Sequence, residues 1–155
     1  MAAFSDHFSL SQLGAFRVVC AANTSITAVR SVLVTQGFRV LTLRSAGIKD
    51  KASLLSAFVD CFELRNFGTN PLSSWDAASD LIWQSLVEMP ENKVGVLWLD
   101  VDQIISTQLQ LFVDGLELLQ VIGGEVERQQ TTSNSHPVLL RIIALGVGDS
   151  FPEWK

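Results

Sequence analysis

Residues Val94 to Asp100 read VGVLWLD, an almost unbroken apolar run. A strand with one face in water alternates apolar and polar side chains, whereas this run has apolar side chains for both faces. Strands of this kind are typical of parallel sheets that carry packed helices on both sides. The run therefore predicts an α/β protein with a covered parallel sheet.

Strand-like and helix-like patterns alternate along the rest of the chain. Three further apolar runs predict strands: Ala15 to Ala22, Phe38 to Arg44 and Val138 to Gly146. Apolar residues at helical spacing predict four helices: residues 25–36, Ala52 to Leu64, about Ser74 to Val87, and about Thr107 to Ile122, the last ending near Gly123-Gly124. The order β-α-β-α-α-β-α-β predicts one domain over residues 1–155, with a small, mostly parallel sheet of about four strands.

The charge of the chain is concentrated in its middle. The whole sequence of 155 residues has a net charge of -5. Twelve acidic and three basic residues lie from Asp60 to Arg128, so this segment carries a net charge of -9. Such an asymmetry argues against a nucleic-acid-binding protein and for a basic protein partner. The alternative is an acidic, solvated face that serves only solubility.

The sequence also bears on the compartment. Cys20 lies in a strand-like run and Cys61 in a helix-like run, which predicts two buried free thiols in a reducing environment instead of a disulfide framework. Residues 1–14 contain no Lys or Arg ahead of the first apolar run, so no signal peptide is expected. No apolar stretch approaches the roughly 18 residues that span a bilayer. We therefore expect a cytoplasmic protein without membrane contact.

Familiar cofactor-binding motifs are missing from the sequence. It contains neither the GxxxxGK[ST] phosphate loop nor the GxGxxG dinucleotide turn. Its two histidines, His7 and His136, do not stand near a cysteine at zinc-ligand spacing. The sequence therefore predicts no cofactor and no metal.

One pattern supports an enzymatic alternative. The strand ending at Asp100 is followed by Asp102, at the strand end where open α/β sheets bind ligands. This arrangement resembles the Asp-x-Asp strand end of haloacid-dehalogenase-like phosphatases, which implies a magnesium-dependent phosphohydrolase. The competing interpretation is a solvated turn that caps the next helix.

The segment NFGTNPLSSWDAASDLIW, Asn66 to Trp83, holds the strongest candidate site. Helical spacing puts Asp76, Asp80 and Trp83 on one face, opposite an apolar stripe that includes Trp75. Two carboxylates four residues apart repel each other, so helix stability alone does not explain the pair. Ser73 is expected to cap the helix, with Asp76 as its capping-box partner. An indole beside two carboxylates is a composition typical of a protein interface.

These residues carry a resemblance to a known family. The turn Phe67-Gly68-Thr69-Asn70 and the helix start Trp75-Asp76-Ala77-Ala78-Ser79-Asp80-Leu81 resemble the motif of the barstar family of ribonuclease inhibitors. The resemblance covers residues 38–146, which leaves residues 15–37 as an additional strand-helix unit. It implies a non-enzymatic protein that occludes the active site of a basic ribonuclease toxin, with helix carboxylates taking the place of RNA phosphates.

The resemblance also implies a set of partner-binding residues. Asp80 would meet the basic phosphate site of the enzyme, and Asp76 would meet neighbouring basic groups. The family's further acidic contact corresponds to Glu125 or Glu127, beyond the Gly-Gly pair. Pro71 to Ser74 are inserted relative to the motif, so the loop before the helix differs. The full predicted set is Asn66, Phe67, Gly68, Asn70, Trp75, Asp76, Asp80, Trp83, Glu125 and Glu127. A third possibility is a noncatalytic adaptor that binds another basic protein.

Overall fold

The computed structural model describes residues 16–67, 74–129 and 136–153, and these ranges contain four β-strands and five α-helices. The strands are β1 (Val18–Ala22), β2 (Arg39–Arg44), β3 (Lys93–Leu99) and β4 (Leu139–Gly146). The α-helices are α1 (Ile26–Thr35), α2 (Lys51–Cys61), α3 (Trp75–Glu88), α4 (Val101–Thr107) and α5 (Leu109–Glu127). Two short 3₁₀ helices, Asn23–Ser25 and Leu64–Phe67, join some of these elements.

The four strands form one parallel sheet in the order β1-β4-β3-β2. The predicted α/β fold with about four mostly parallel strands is therefore confirmed. Val96 of β3 lies opposite Leu41 of β2 on one side and Ile142 of β4 on the other. The strand of the predicted N-terminal unit, β1, pairs with β4, where Val18 lies opposite Ile142. This unit thus extends the sheet beside its last strand in sequence.

Helices cover both faces of the sheet. Leu33 of α1 packs with Leu97 of β3 on one face, and the larger cluster formed with α2, α3 and α5 lies on the other. Residues Val94 to Trp98 are fully buried, as the apolar run predicts. At Gly95, an added Cβ would lie 3.1 Å from Leu33 Cδ1, so glycine lets α1 approach the centre of the sheet closely.

The predicted helix from about Thr107 to Ile122 is confirmed at its start to within two residues and is wrong at its end. Two helices meet at Gln108, namely α4, which was not predicted, and α5, which begins at Leu109. The second does not end at Gly123-Gly124 but continues to Glu127. Both glycines are buried, and a Cβ at Gly123 would lie only 2.6 Å from Cδ of Arg17. Gly123 therefore makes room for the Arg17 side chain beside the helix, and neither glycine terminates α5.

Helix α2 begins with a capping box that was not predicted. The Asp50 carboxylate accepts a hydrogen bond from the Ser53 backbone N–H at 2.8 Å, and the Ser53 hydroxyl accepts one from the Asp50 N–H at 3.0 Å. The backbone hydrogen bond from Ser53, followed by the one from its hydroxyl, lowers the pKa of Asp50.

The two cysteines are free, as expected. Cys61 is buried in α2 and Cys20 is half-buried in β1, and burial raises the pKa of both thiols. Within the described ranges, no helix combines the length and apolar character that crossing a bilayer requires.

Candidate functional site

The first turn of α3 leaves Asp76 free of the helix cap. Ser74, and not the predicted Ser73, is the N-cap residue, and its hydroxyl accepts a hydrogen bond from the Ala77 N–H at 3.1 Å. With Ser74 as the cap, the third helical position is Ala77, which has no side chain that could bond back, so the predicted capping box with Asp76 is wrong. Asp76 lies in the first turn, where the helix dipole favours a negative charge.

Helix α3 has one buried and one exposed face, as the helical spacing predicts. Ala78, Ile82 and Leu86 are fully buried in the core. Asp76 and Asp80 are exposed, and neighbours at this spacing have Cβ atoms about 5–6 Å apart. Trp83 is half-buried and packs against the core cluster. The two carboxylates are thus exposed to solvent, whereas Trp83 lies between the core and the surface.

The contact between α3 and α5 creates a cleft around Asp80. This Asp80 cleft is shallow and open to solvent, and its volume is about 480 Å³. Its lining residues come from both helices and from the residues that follow α5: Ser79, Asp80, Trp83, Glu125, Arg128 and Gln129. Of the two glutamates that the family resemblance offered, Glu125 is the one that lies in this cleft with Asp80.

A second cleft lies around Asp76. This Asp76 cleft has a volume of about 440 Å³. It is lined by Trp75, Asp76, Ser79, Asp114, Glu117, Leu118 and Val121. Ser79 lines both clefts, so they are adjacent along the seam between α3 and α5.

The two clefts together form an acidic surface. Among the residues that the structure describes, five carboxylates line them, namely Asp76, Asp80, Asp114, Glu117 and Glu125, whereas the one basic residue is Arg128. Among the described residues, none of these five takes part in an ion pair. Asp114 accepts a hydrogen bond from Gln110 Nε2 at 2.8 Å. Carboxylates that take part in no ion pair can form strong charge-assisted hydrogen bonds with arginine or lysine side chains of another protein.

Glu127 has a different environment from Glu125. Its carboxylate lies 2.6 Å from Nη2 of Arg17, in an ion pair. Glu127 is also close enough to the buried Arg141 to affect its guanidinium: burial lowers the pKa of Arg141, and the Glu127 carboxylate opposes this effect. Glu127 therefore offsets the positive charges of Arg17 and Arg141, and it does not line either acidic cleft.

The remaining predicted residues lie at the start of α3 or before it. Trp75 lines the Asp76 cleft, and Nζ of Lys51 lies 5.7 Å from the centroid of its ring. Asn66 and Phe67 belong to the 3₁₀ helix Leu64–Phe67, and their contact with a partner stays a prediction. Gly68 and Asn70 lie outside the described residues.

Several cleft residues were not identified from the sequence: Ser79, Asp114, Glu117 and Arg128. Asp114, Glu117, Leu118 and Val121 stand at positions i, i+3, i+4 and i+7, which puts them on one side of a helix. This spacing was visible in the sequence. The partner helix for that side was not, because the contact between α3 and α5 is a property of the tertiary structure.

Asp100 and Asp102, the basis of the phosphohydrolase alternative, form hydrogen bonds within the fold. Asp100 Oδ1 accepts a hydrogen bond from Asn23 Nδ2 at 3.0 Å, and Asp102 Oδ1 accepts one from the Val147 N–H at 3.1 Å. Asp100 stands at the N-cap position of α4 but its side chain makes no capping bond, so the expected cap is wrong. In the described part of the chain, no three His, Cys, Asp or Glu side chains are grouped to hold a metal ion.

A further cleft, of about 470 Å³, lies at the carboxyl end of β2. Its lining includes Arg44 and Asp60, which carry charges of opposite sign, and none of the predicted site residues. The clefts between α3 and α5, by contrast, have a mainly acidic lining that includes Asp76 and Asp80.

Comparisons of the chain with protein-family models, with curated proteins and with solved structures found no match.

Proposed function

We propose that this protein is a cytoplasmic inhibitor, or immunity protein, that binds and occludes the active site of a basic, barnase-like ribonuclease toxin. The observation that carries the proposal is the exposure of Asp76 and Asp80, side by side on α3, in clefts that three more carboxylates line.

The chemistry of the surface supports a cationic partner. A ribonuclease active site holds basic groups that bind the phosphates of RNA, and carboxylates on a rigid helix accept the same hydrogen bonds. Charge-assisted bonds of this kind are strong where water is excluded. The half-buried Trp83 adds an aromatic side chain beside Asp80, and aromatic residues are enriched among the residues that supply most binding energy.

The family resemblance supports the same partner. The two aspartates that resemble those of the barstar motif are the exposed ones on α3, and Glu125 offers the further acidic contact. The proposal assigns no reaction to the protein, since an inhibitor of this kind acts by binding alone.

The test is a binding measurement with purified barnase-like ribonucleases, starting with any nuclease encoded beside the gene for this protein. The Asp80→Asn variant removes one charge and keeps the shape of the side chain. If Asp80 is a binding hot spot, its loss costs about 2 kcal/mol or more, which is roughly a thirtyfold rise in Kd. Inhibition of RNA cleavage should weaken in parallel.

Glu88→Gln is the matched control, because Glu88 is an exposed acid on the same helix and lines neither cleft. We expect this variant to bind within about twofold of the wild-type protein, as exposed charges contribute little. Failure of every tested ribonuclease to bind, or equal binding by wild type and Asp80→Asn, would falsify the proposal. Binding to a basic protein that is not a nuclease would support the adaptor alternative instead.

A further inference from the structure

Strand β2 lies at one edge of the sheet. It is the last strand in the order β1-β4-β3-β2, so in the described part of the chain only one of its sides meets another strand. The N–H of Ser45, directly after β2, donates to the Leu99 carbonyl of β3 at 3.2 Å. Because the backbone groups of successive strand residues point to opposite sides, those of Thr42 and Arg44 face away from β3. The N–H and C=O groups of both residues are thus directed outward.

The opposite edge of the sheet, β1, is partly covered. The Ala22 N–H donates to the Pro152 carbonyl at 2.8 Å, so the chain after β4 supplies a hydrogen-bond partner there. At β2, by contrast, no hydrogen bond from the described residues reaches the outward N–H or C=O of Thr42 or Arg44. An edge with free backbone groups is a template on which another extended chain can pair.

A cleft runs beside this edge, between β2 and α2, and has a volume of about 470 Å³. The strand contributes Thr42 and Arg44 to its lining, and the helix contributes Ser53, Ser56, Ala57 and Asp60. From Ser53 to Asp60 the helix rises roughly 10 Å, which is the length of about three residues of an extended chain. Since most of the α2 side chains in the lining are small, the cleft stays open along the strand. Its shape and its backbone groups both suit an extended peptide.

One end of the cleft has a positive charge. The turn at residues 45–48 joins β2 to α2 and bounds the cleft where β2 ends. Arg44 is exposed at this end and forms no ion pair with the described residues. The acid in the described lining, Asp60, is already paired with Arg65 at 2.9 Å. Arg44 is therefore the charge that an occupant of the cleft would have to match.

We propose that this cleft binds the carboxyl-terminal segment of another protein, which adds to β2 as a further parallel strand and ends with its carboxylate at Arg44. The outward groups of Thr42 and Arg44 supply the backbone pairing. A chain parallel to β2 reaches the turn with its carboxyl end, where Arg44 forms a charge-assisted bond. An antiparallel chain would end there with its amino group, a second positive charge. This binding site is independent of the proposed function.

The probe is a library of random hexapeptides, displayed with free carboxyl termini and selected on the wild-type protein. Each enriched sequence is synthesised as the acid and as the carboxyl-terminal amide, and fluorescence anisotropy gives both Kd values. We expect the acid to bind roughly tenfold more tightly than the amide. Bound acid should slow hydrogen exchange at the Thr42 and Arg44 N–H groups. The Ser45 N–H, which already donates to Leu99, should change little.

Two variants test the charge and the backbone pairing separately. Arg44→Gln should reduce the difference between acid and amide to less than about threefold. Arg30→Gln is its control, because Arg30 is an exposed arginine on α1 outside the cleft. Thr42→Pro removes one outward N–H at an edge that tolerates proline, and it should weaken binding of the acid roughly tenfold. Thr42→Val keeps the N–H and should bind as wild type does.

Three outcomes would overturn the inference. The first is that no peptide is enriched on the wild-type protein. The second is that acid and amide bind equally well. The third is that Arg44→Gln and Thr42→Pro bind the acid as tightly as wild type, which would put the contact on another surface. If Thr42→Pro does not fold, the Arg44→Gln comparison decides alone. The inhibitor proposal is tested at Asp80 and is unaffected by these results.

Discussion

Asp80 of α3 and Glu125 of α5 line the same cleft, although they lie on different helices far apart in the sequence. Glu127, only two residues beyond Glu125, instead forms an ion pair with Arg17. The acidic surface is thus a product of how α3 packs on α5, and two glutamates only two residues apart on α5 have different surroundings.

The pair Glu125 and Glu127 offers a direct test of this separation. Glu125→Gln removes a charge from the Asp80 cleft, and we expect it to raise the Kd for the ribonuclease roughly tenfold, which corresponds to about 1.4 kcal/mol. Glu127→Gln should leave the Kd unchanged and lower the unfolding temperature, because Arg17 loses its ion-pair partner. Calorimetric titration and thermal unfolding of both variants measure these effects. The assignment is wrong if Glu127→Gln is the variant that weakens binding.

Two glycines of α5 should respond differently to replacement by alanine. At Gly115, an added Cβ would lie 3.0 Å from Leu54 Cδ2 and 3.2 Å from Trp98 Cη2, both side chains being fully buried. Overpacking of this kind costs about 1–3 kcal/mol, which exceeds the gain in helix propensity. At Gly124, the nearest atom is Nη1 of Arg128 at 3.3 Å, at the end of an exposed side chain that can move.

We therefore expect Gly115→Ala to lower the free energy of unfolding, and Gly124→Ala to leave it unchanged or raise it by up to about 1 kcal/mol. Urea denaturation of wild type and both variants, fitted with one shared m-value, measures these changes in the free energy of unfolding. A stabilised Gly115→Ala variant would show that the core around Trp98 has room that the structure does not indicate.

The sequence was sufficient for the sheet but not for the contacts between helices. The apolar run that starts at Val94 predicts a strand covered on both faces, because a strand buried on both sides needs apolar side chains at successive positions. The predicted end of α5 was wrong, because glycine ends some helices, whereas in others it lets a neighbouring side chain approach the helix closely. At Gly123 the neighbour is Arg17, more than a hundred residues away in sequence. Such a contact has no local signal.

The candidate site was likewise predicted only where its residues lie on a single helix. Asp76 and Asp80 were predicted because both lie on one helix, where spacing alone puts them side by side. Asp114 and Glu117 complete the surface from α5, and their role depends on which face of α5 meets α3. The predicted cap, Ser73, was one residue away from the observed cap, Ser74. Because of this shift, Asp76 is not a capping group but a carboxylate that the helix cap does not use.

The capping box of α2 predicts a pH-dependent effect. Hydrogen bonds from Ser53 lower the pKa of Asp50 in the folded protein, so the ionised carboxylate stabilises the fold above the pKa of the unfolded chain, about 3.9. This contribution is lost as the pH falls through the lowered, folded-state pKa. We therefore expect Asp50→Ala to be less stable than wild type at pH 7, and the difference to shrink below about pH 4.

Urea titrations between pH 7 and pH 3 measure this difference. Ser53→Ala is the control, because it removes the hydroxyl but keeps the backbone N–H that donates to Asp50. Its stability should therefore fall less than that of Asp50→Ala. A difference between Asp50→Ala and wild type that stays constant down to pH 3 would contradict the assignment.

Asp100 has a strained backbone conformation, and its side chain accepts a hydrogen bond from Asn23, which follows β1. Its φ of 55° lies in the left-handed region, and its carboxylate accepts a hydrogen bond from Asn23 Nδ2 at 3.0 Å. Asp100→Ala loses the hydrogen bond and keeps the strain, whereas Asp100→Gly loses the hydrogen bond and relieves the strain. The alanine variant should therefore be less stable than the glycine variant by about 1 kcal/mol. Urea denaturation of the two variants measures this, and equal stability would show that the backbone at residue 100 relaxes once the carboxylate is gone.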